Sequence, residues 1–216
     1  MNLVTDTLDL LIDNLVEHGW FVLPNAIPQE MCAALLADIE RYESKGVLKA
    51  AGIGRGDHHQ IAKTIRRDKI KWLDGSSVVQ LQYLEQMKQL RCELNRALFL
   101  GLFEYECHYA LYKHGDFYKK HLDSFKGQAN RMVSSVLYLN SDWQADWGGE
   151  LIIYNETDTE EVARIMPEMG KLVVFMSEQL PHEVLPTLQP RASVTGWFRC
   201  NNTTAVTIDP PPLLLA

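Results

Sequence analysis

From about residue 104 onward the chain changes its period. Apolar and polar residues alternate in eight short runs, "EYECHYALYK", "FYKKHLD", "RMVSSVLYLN", "GGELIIYN", "EVARIMP", "KLVVFMS", "HEVLPT" and "RASVTGWFRC". Turn clusters such as "NSDWQADWGG" and "PEMGK" separate them. A period of two marks half-buried strands, and Gly, Pro, Asn and Asp mark the turns between them. Strands this short, evenly spaced and without intervening helices must pair among themselves, as in a jelly roll or related sandwich. The expected fold class is mainly β with flanking α-helices.

The N-terminal half reads differently. Leu8, Leu11, Ile12 and Leu15 form the i, i+3, i+4, i+7 stripe of an amphipathic helix stopped at Gly19, and "WFVLP" reads as a brief strand. Pro28 suits the first position of a second helix, which carries Met31, Leu35, Leu36 and Ile39 and ends near Gly46. A third begins after Ser77, with Tyr83, Met87, Leu90 and Leu94 on one face. These stripes are core-facing surfaces, with the helices packed outside the barrel. The stretch "AGIGRGDHHQIAKTIRRDKIKW" reads as a loop running into a strand. Its glycines lack the Gly-Lys-Ser/Thr of a phosphate loop, so no nucleotide site is expected. Residues 1–216 are expected to form one domain: helical support and a substrate loop over 1–103, the β core over 104–200, and a tail over 201–216 ending in "DPPPLLLA".

A net charge of −7 argues against a general nucleic-acid binder. The longest apolar runs, such as "ALFLGLF", are too short to span a bilayer, and no leader pattern opens the chain. Cys32, Cys92, Cys107 and Cys200 lie far apart with no CxxC, which suits reduced thiols in a cytoplasmic protein. A monomer is expected. Hydrophobic content of 46% supplies an ordinary core, so polar side chains on strand faces call for a reason.

One such pair is His121 and Asp123, two apart in "FYKKHLD" and so on one strand face; His182 opens the seventh run. Two His and one carboxylate leave positions open on a metal for substrate and O₂, the arrangement of non-haem Fe(II) oxygenases. The ligand types alone leave zinc open. Arg191 favours iron. It shares a strand face with Ser193, Thr195 and Trp197, and an inward guanidinium needs an anion. A dicarboxylate that chelates iron at one end and forks onto arginine at the other, such as 2-oxoglutarate, meets that need.

"HLD", "PHEVLP" and "RASVTGW" resemble the HxD…H…R pattern of the Fe(II)/2-oxoglutarate oxygenases. More narrowly, "IRRDKIKWLDG", "ALYKHGDFYKKHLD", "VLYLNSDWQADWGGELIIY", "LVVFMSEQLPHEVLPT" and "RASVTGWF" resemble the prolyl hydroxylases acting on hypoxia-inducible factor and their bacterial relatives, over about Ile65 to Arg199. The resemblance implies a double-stranded β-helix, a cupin-like jelly roll of eight strands supported by N-terminal helices. It implies Fe(II), 2-oxoglutarate and O₂, with ascorbate as an optional reductant, and hydroxylation of a prolyl residue at C4 in a protein substrate, with succinate and CO₂ released. It also implies a link to oxygen sensing.

Residue by residue, the resemblance implies His121, Asp123 and His182 as iron ligands. Arg191 would bind the distal carboxylate of 2-oxoglutarate, with Tyr138 donating a hydroxyl to it. Tyr112 and Thr195 would line the co-substrate and iron pocket, and Arg131 and Trp197 would lie near the target proline. Arg66 and Asp68 match a segment that closes over substrate in relatives. Trp72, Trp143 and Trp147 read as packing residues, and His58 and His59 as an exposed loop pair. The basic run Lys63, Arg66, Arg67, Lys69 and Lys71 reads as a solvated face that could steer an acidic partner.

The departures from the animal enzymes fall in loops: "SFKGQAN", "ETDTEE", "GIGRGDHHQ" and a spacing from Tyr112 to His121 that is one residue shorter. These shape the substrate groove, so the resemblance does not carry the target over. Elongation factor Tu, as in bacterial relatives, stands as an analogy. Three readings compete: an oxygenase of a free amino acid or other small molecule, a non-catalytic metal-binding sensor, and a zinc hydrolase.

Overall fold

The computed structural model describes residues 5–52, 62–124 and 130–201. Three helices, α1 (Thr5–Glu17), α2 (Gln29–Ser44) and α3 (Val78–Leu98), precede or interrupt three short strands, β1 (Trp20–Leu23), β2 (Lys49–Ala50) and β3 (Lys69–Trp72). Eight strands follow: β4 (Leu102–Tyr112), β5 (Tyr118–His121), β6 (Arg131–Tyr138), β7 (Leu151–Tyr154), β8 (Glu161–Ile165), β9 (Leu172–Met176), β10 (His182–Val184) and β11 (Arg191–Cys200). Each of the eight alternating runs in the sequence coincides with one of them, β4 beginning two residues before its run.

They sort into two antiparallel sheets. The larger has the order β1-β9-β6-β11-β4-β3-β2 and the smaller β5-β10-β7-β8. Four of the eight core strands lie in each sheet, which is the jelly-roll division, and β1, β2 and β3 widen the larger one. Alternation then assigns the faces. Along β9, Leu172 and Val174 turn to the helices, while Val173 and Phe175 turn to the small sheet. The helix-side core joins Leu11, Leu35, Ile39, Tyr83, Met87, Leu90 and Leu94 to that outer face. The inter-sheet core holds Tyr112, Val136, Tyr138 and Phe175 against Leu151, Ile153 and Ile165. The helices pack outside the barrel, as the stripes predict. Among the described residues no helix is long and apolar enough to cross a membrane.

Local chemistry sets the helix starts. The Ser77 side chain accepts from Gln80 N at 3.3 Å, and its hydroxyl donates to Asp38 Oδ2 at 2.6 Å, so one cap ties α3 to α2. Tyr109 donates to the same carboxylate oxygen at 3.2 Å, adding β4 to the knot. Pro28 differs from expectation: it takes the cap position, with ψ at 141, and not the first helical one. Its carbonyl accepts from Met31 and Cys32, so the ring stands outside the helix while its oxygen begins it. The basic run is less solvated than its composition suggests. Arg66 is buried, Lys69 pairs with Glu43 at 3.2 Å and Lys71 with Asp74 at 2.7 Å. His58 and His59 lie outside the described residues, as do most of the glycine loop and of the C-terminal tail.

Gly196, in the middle of β11, shows how closely that strand packs against the side chains of its neighbour β4. A Cβ there would run into the Tyr105 hydroxyl and lie 2.7 Å from Cys107 Cβ. Gly196→Ala is expected to lower the free energy of unfolding by about 1–3 kcal/mol through overpacking. Urea denaturation checks this: the midpoint should fall with the slope unchanged.

Candidate active site

Two histidines meet because two strands pair. In the small sheet β10 runs antiparallel to β5 with His182 opposite His121, and the imidazole centroids lie 4.3 Å apart. Asp123 does not share that strand. β5 ends at His121, so the expectation of a common strand face for His121 and Asp123 is corrected. The chain leaves the ladder after His121 and brings the Asp123 carboxylate against the histidine pair. Oδ1 lies 3.5 Å from His121 Nε2 and Oδ2 3.5 Å from His182 Nε2. Potential ligand atoms of the three residues all fall within 4.8 Å of one another.

The tautomers are fixed from behind. His121 Nδ1 lies 2.8 Å from the Lys119 carbonyl and His182 Nδ1 3.0 Å from that of Leu180. A carbonyl only accepts, so each Nδ1 carries the hydrogen and each Nε2 presents a lone pair to the shared centre. Burial, reinforced by the neighbouring His121, lowers the His182 pKa to about 4, which keeps this imidazole neutral and ligand-competent at neutral pH. Burial alone would raise the Asp123 carboxyl. Positive charge gathered at His182 and His121, with a smaller pull from the Arg131 guanidinium, lowers it well below the ordinary range instead. Two neutral-nitrogen donors and one carboxylate fit a divalent transition metal with room for further ligands.

His121 is also clamped on its open side. Tyr118 stacks on it with centroids 3.5 Å apart and planes 15° apart, and the Arg66 guanidinium lies 4.3 Å from the Tyr118 ring centre. Arg66 in turn forks onto Asp68, at 2.8 Å and 2.6 Å, and Asp68 is fully buried. These two residues spend their charges on each other, and the arginine face supports the ligand stack.

Across the barrel, on β11, Arg191 is 1% exposed. Its Nε donates to the Gly149 carbonyl at 2.8 Å, and among the described residues no carboxylate pairs with it. Gly149 has φ +71, and a Cβ on it would lie 3.2 Å from Arg191 Cδ, so glycine lets this turn deliver its carbonyl. The guanidinium lies 4.9 Å from the Tyr112 ring centre and 5.0 Å from that of Tyr138. The hydroxyls of Tyr138 and of Ser193, its register partner, are buried without hydrogen-bond partners. Burial raises the Tyr138 pKa to about 12, so this hydroxyl keeps its proton to donate. A buried cation beside two idle hydroxyls fits the far carboxylate of a keto-diacid, which would satisfy all three.

Between these ends, Thr195 is half-buried, opposite His108 and Val136. Arg131 lies 3.5 Å over the Trp197 ring while its Nε donates to Glu106 at 2.7 Å, and the Trp197 indole N–H is buried without a partner. Trp72 packs edge-on to His108 and Trp143 edge-on to Trp147, as packing residues should. Sequence reasoning missed Tyr118, Ser134 and Ser177, and placed Ser193 on the Arg191 face without giving it a role. The doubled serine in "RMVSSVLYLN", at the centre of an otherwise apolar strand, is the signal that could have found Ser134. A cavity of about 680 Å³ between the end of α1, the start of β1 and the β7–β8 turn holds none of these residues. It lacks converging ligand atoms, and the chemistry belongs to the barrel.

Comparison with known proteins agrees with this geometry. Residues 107–199 match the 2OG-Fe(II) oxygenase superfamily. The chain is 44% identical to a Pseudomonas putida prolyl-4-hydroxylase of known structure, covering 89% of this chain and 98% of that one with a TM-score of 0.82. A prolyl hydroxylase from Trichoplax adhaerens, solved with a hypoxia-inducible factor oxygen degradation domain peptide, is 25% identical, with coverage of 90% and 89% and a TM-score of 0.80. The hypoxia-inducible factor prolyl hydroxylase of Caenorhabditis elegans is 27% identical over 87% of this chain, and human Egl nine homolog 1 is 30% identical over 63%. The chain spans 27% and 34% of the lengths of those two relatives.

His108, boxed by Trp72 and Trp197, is lowered to about 4 by burial and by the charge of Arg66. Both His108 and His182 therefore stay neutral in the folded protein while the unfolded chain takes up protons below about pH 6.5. The unfolded state binds more protons in that window, so stability falls as pH drops from about 6.5 to about 4, by about 3 kcal/mol for each imidazole. Urea midpoints of metal-free protein across this range should decline steeply, and His108→Asn should flatten the decline.

Proposed function

We propose a function from one premise: this chain belongs to the 2OG-Fe(II) oxygenase superfamily and, within it, to the prolyl hydroxylases. The protein is an enzyme, a dioxygenase dependent on Fe(II) and 2-oxoglutarate. It hydroxylates a prolyl residue of a protein substrate at C4 and releases succinate and CO₂. The observation that carries this reading is the pairing of two features in one barrel: the His121–Asp123–His182 cluster, and a buried arginine flanked by idle hydroxyls. A hydrolytic metal site has no use for the second feature.

His121, Asp123 and His182 would hold the iron. Bound iron supplies the activation of O₂ that, with oxidative decarboxylation of 2-oxoglutarate, delivers one oxygen atom to the substrate C–H. Arg191 forks onto the far carboxylate of 2-oxoglutarate, Tyr138 donates its hydroxyl to the same group, and Tyr112 and Thr195 wall the pocket. Arg131 and Trp197 frame the target proline, with the indole N–H free to donate. Arg66 and Asp68 stand behind the His121 stack, in the segment that would close over substrate. The apolar inter-sheet core around Val136, Phe175 and Ile153 keeps water from the reacting centre.

All four cysteines are free thiols, which supports a reducing compartment, the cytoplasm. The described residues act as one unit, since α1–α3 share a core with the large sheet. The identity of 44% to a bacterial enzyme, against 25% to the Trichoplax one, supports a bacterial-type target such as elongation factor Tu over a hypoxia-inducible factor.

Incubation with lysate, Fe(II), ascorbate and 2-oxoglutarate, followed by mass spectrometry, should find one proline-containing protein gaining a single oxygen, and His121→Ala should abolish the gain. Succinate release stimulated by a free amino acid and by no protein would contradict the prolyl reading. Arg191→Ala should raise the KM for 2-oxoglutarate by at least about thirtyfold, the equivalent of losing ~2 kcal/mol of charged hydrogen bonding.

A further inference from the structure

Asp123 sits past the end of its strand, so the backbone ladder does not aim its carboxylate. Two buried hydroxyls do. Ser134, midway along β6, and Ser177, just past the end of β9, are both fully buried. Ser134 Oγ donates to Asp123 Oδ2 at 2.7 Å and lies 2.8 Å from Ser177 Oγ. A hydroxyl carries one proton. A ligating carboxylate can only accept, so the Ser134 proton is committed to Asp123, and Ser134 meets Ser177 with a lone pair. Ser177 must then be the donor in that bond. The chain of donation has one direction, from Ser177 through Ser134 to Asp123.

Its surroundings make the arrangement specific. Ser134 stands opposite Phe175 on one side and Trp197 on the other, at the centre of the large sheet, where an apolar side chain would pack better than an alcohol. Ser135, its neighbour, faces the helix layer and bonds Tyr105 at 2.9 Å instead. Only the serine facing the barrel interior meets a metal-competent side chain.

We propose that Ser177 and Ser134 form a directed hydroxyl relay that orients the Asp123 carboxylate for metal binding, which makes both of them positioning residues. The inference rests on the iron-site reading above and deepens it. Each donation polarises the next, so loss of Ser177 weakens the grip of Ser134 without leaving Asp123 bare.

The test is binding of Mn(II) to metal-free protein, followed by electron paramagnetic resonance and calorimetry, with a thermal melt of each variant. Wild type binds one Mn(II). Ser134→Ala should weaken binding by about 10–100-fold, as outer-shell losses do, and Ser177→Ala by about three- to tenfold. Ser134→Thr, which keeps the hydroxyl, should return affinity to within about threefold of wild type, and Ser135→Ala should leave it unchanged. If wild type fails to bind Mn(II), the iron-site reading itself fails. If wild type binds and Ser134→Ala matches it, or Ser134→Ala weakens binding while Ser177→Ala does not, the relay is overturned. Should Ser134→Ala fail to fold, Ser177→Ala and Ser134→Thr decide between the same outcomes.

Discussion

A carboxylate whose side chain is 8% exposed, held ionised against two imidazoles, is the interaction on which this structure turns. Burying a charge without a counter-charge costs several kcal/mol, and His182, neutral at ordinary pH, repays little of it. The surrounding design tolerates that cost in a form only a cation relieves. Carbonyls hold the Nδ1 hydrogens away from Asp123, so lone pairs, not protons, face it. Ser134 supplies one hydrogen bond and no charge. A dication among these three groups converts an unfavourable burial into a favourable one, which is why the metal reading follows from electrostatics and not from residue types alone.

The jelly roll supplies two faces that can be provided independently. The small sheet brings the histidines together through the β5–β10 register, and the large sheet presents Arg191, Tyr138, Ser193 and Trp197 from its central strands. Loops then set the particulars: the glycine turn before β7 braces Arg191, and the Arg66–Tyr118 stack braces His121. Arg191 and Tyr138, the residues proposed for the co-substrate, sit deep in the β-structure, and the departures from the animal enzymes fall in loops.

Much of the fold was legible because alternation is a strong signal over eight successive runs, and each run coincides with a strand. The helical stripes were equally plain. What alternation does not give is which sheet a strand joins, so the four-and-four division and the widening by β1, β2 and β3 appear only in three dimensions. The candidate metal cluster was found by residue type and order, yet for a partly wrong local reason: Asp123 meets the histidines from beyond the end of β5, not through a shared strand face. The serine relay was invisible because a serine in a strand is common, and its meaning lies in what it touches. Arg66 and Asp68 were read as part of a segment that closes over substrate, and their stacking support of His121 depends on a bridge to Tyr118 that no spacing reveals.

The account stands or falls on whether this barrel couples O₂ to 2-oxoglutarate. The direct measurement is turnover of 2-oxoglutarate under isotopically heavy O₂ with Fe(II) and no added substrate, with the succinate analysed by mass spectrometry. One heavy oxygen atom in each succinate is the result the account predicts. Succinate free of label, or none formed by protein that has bound its metal, would contradict it.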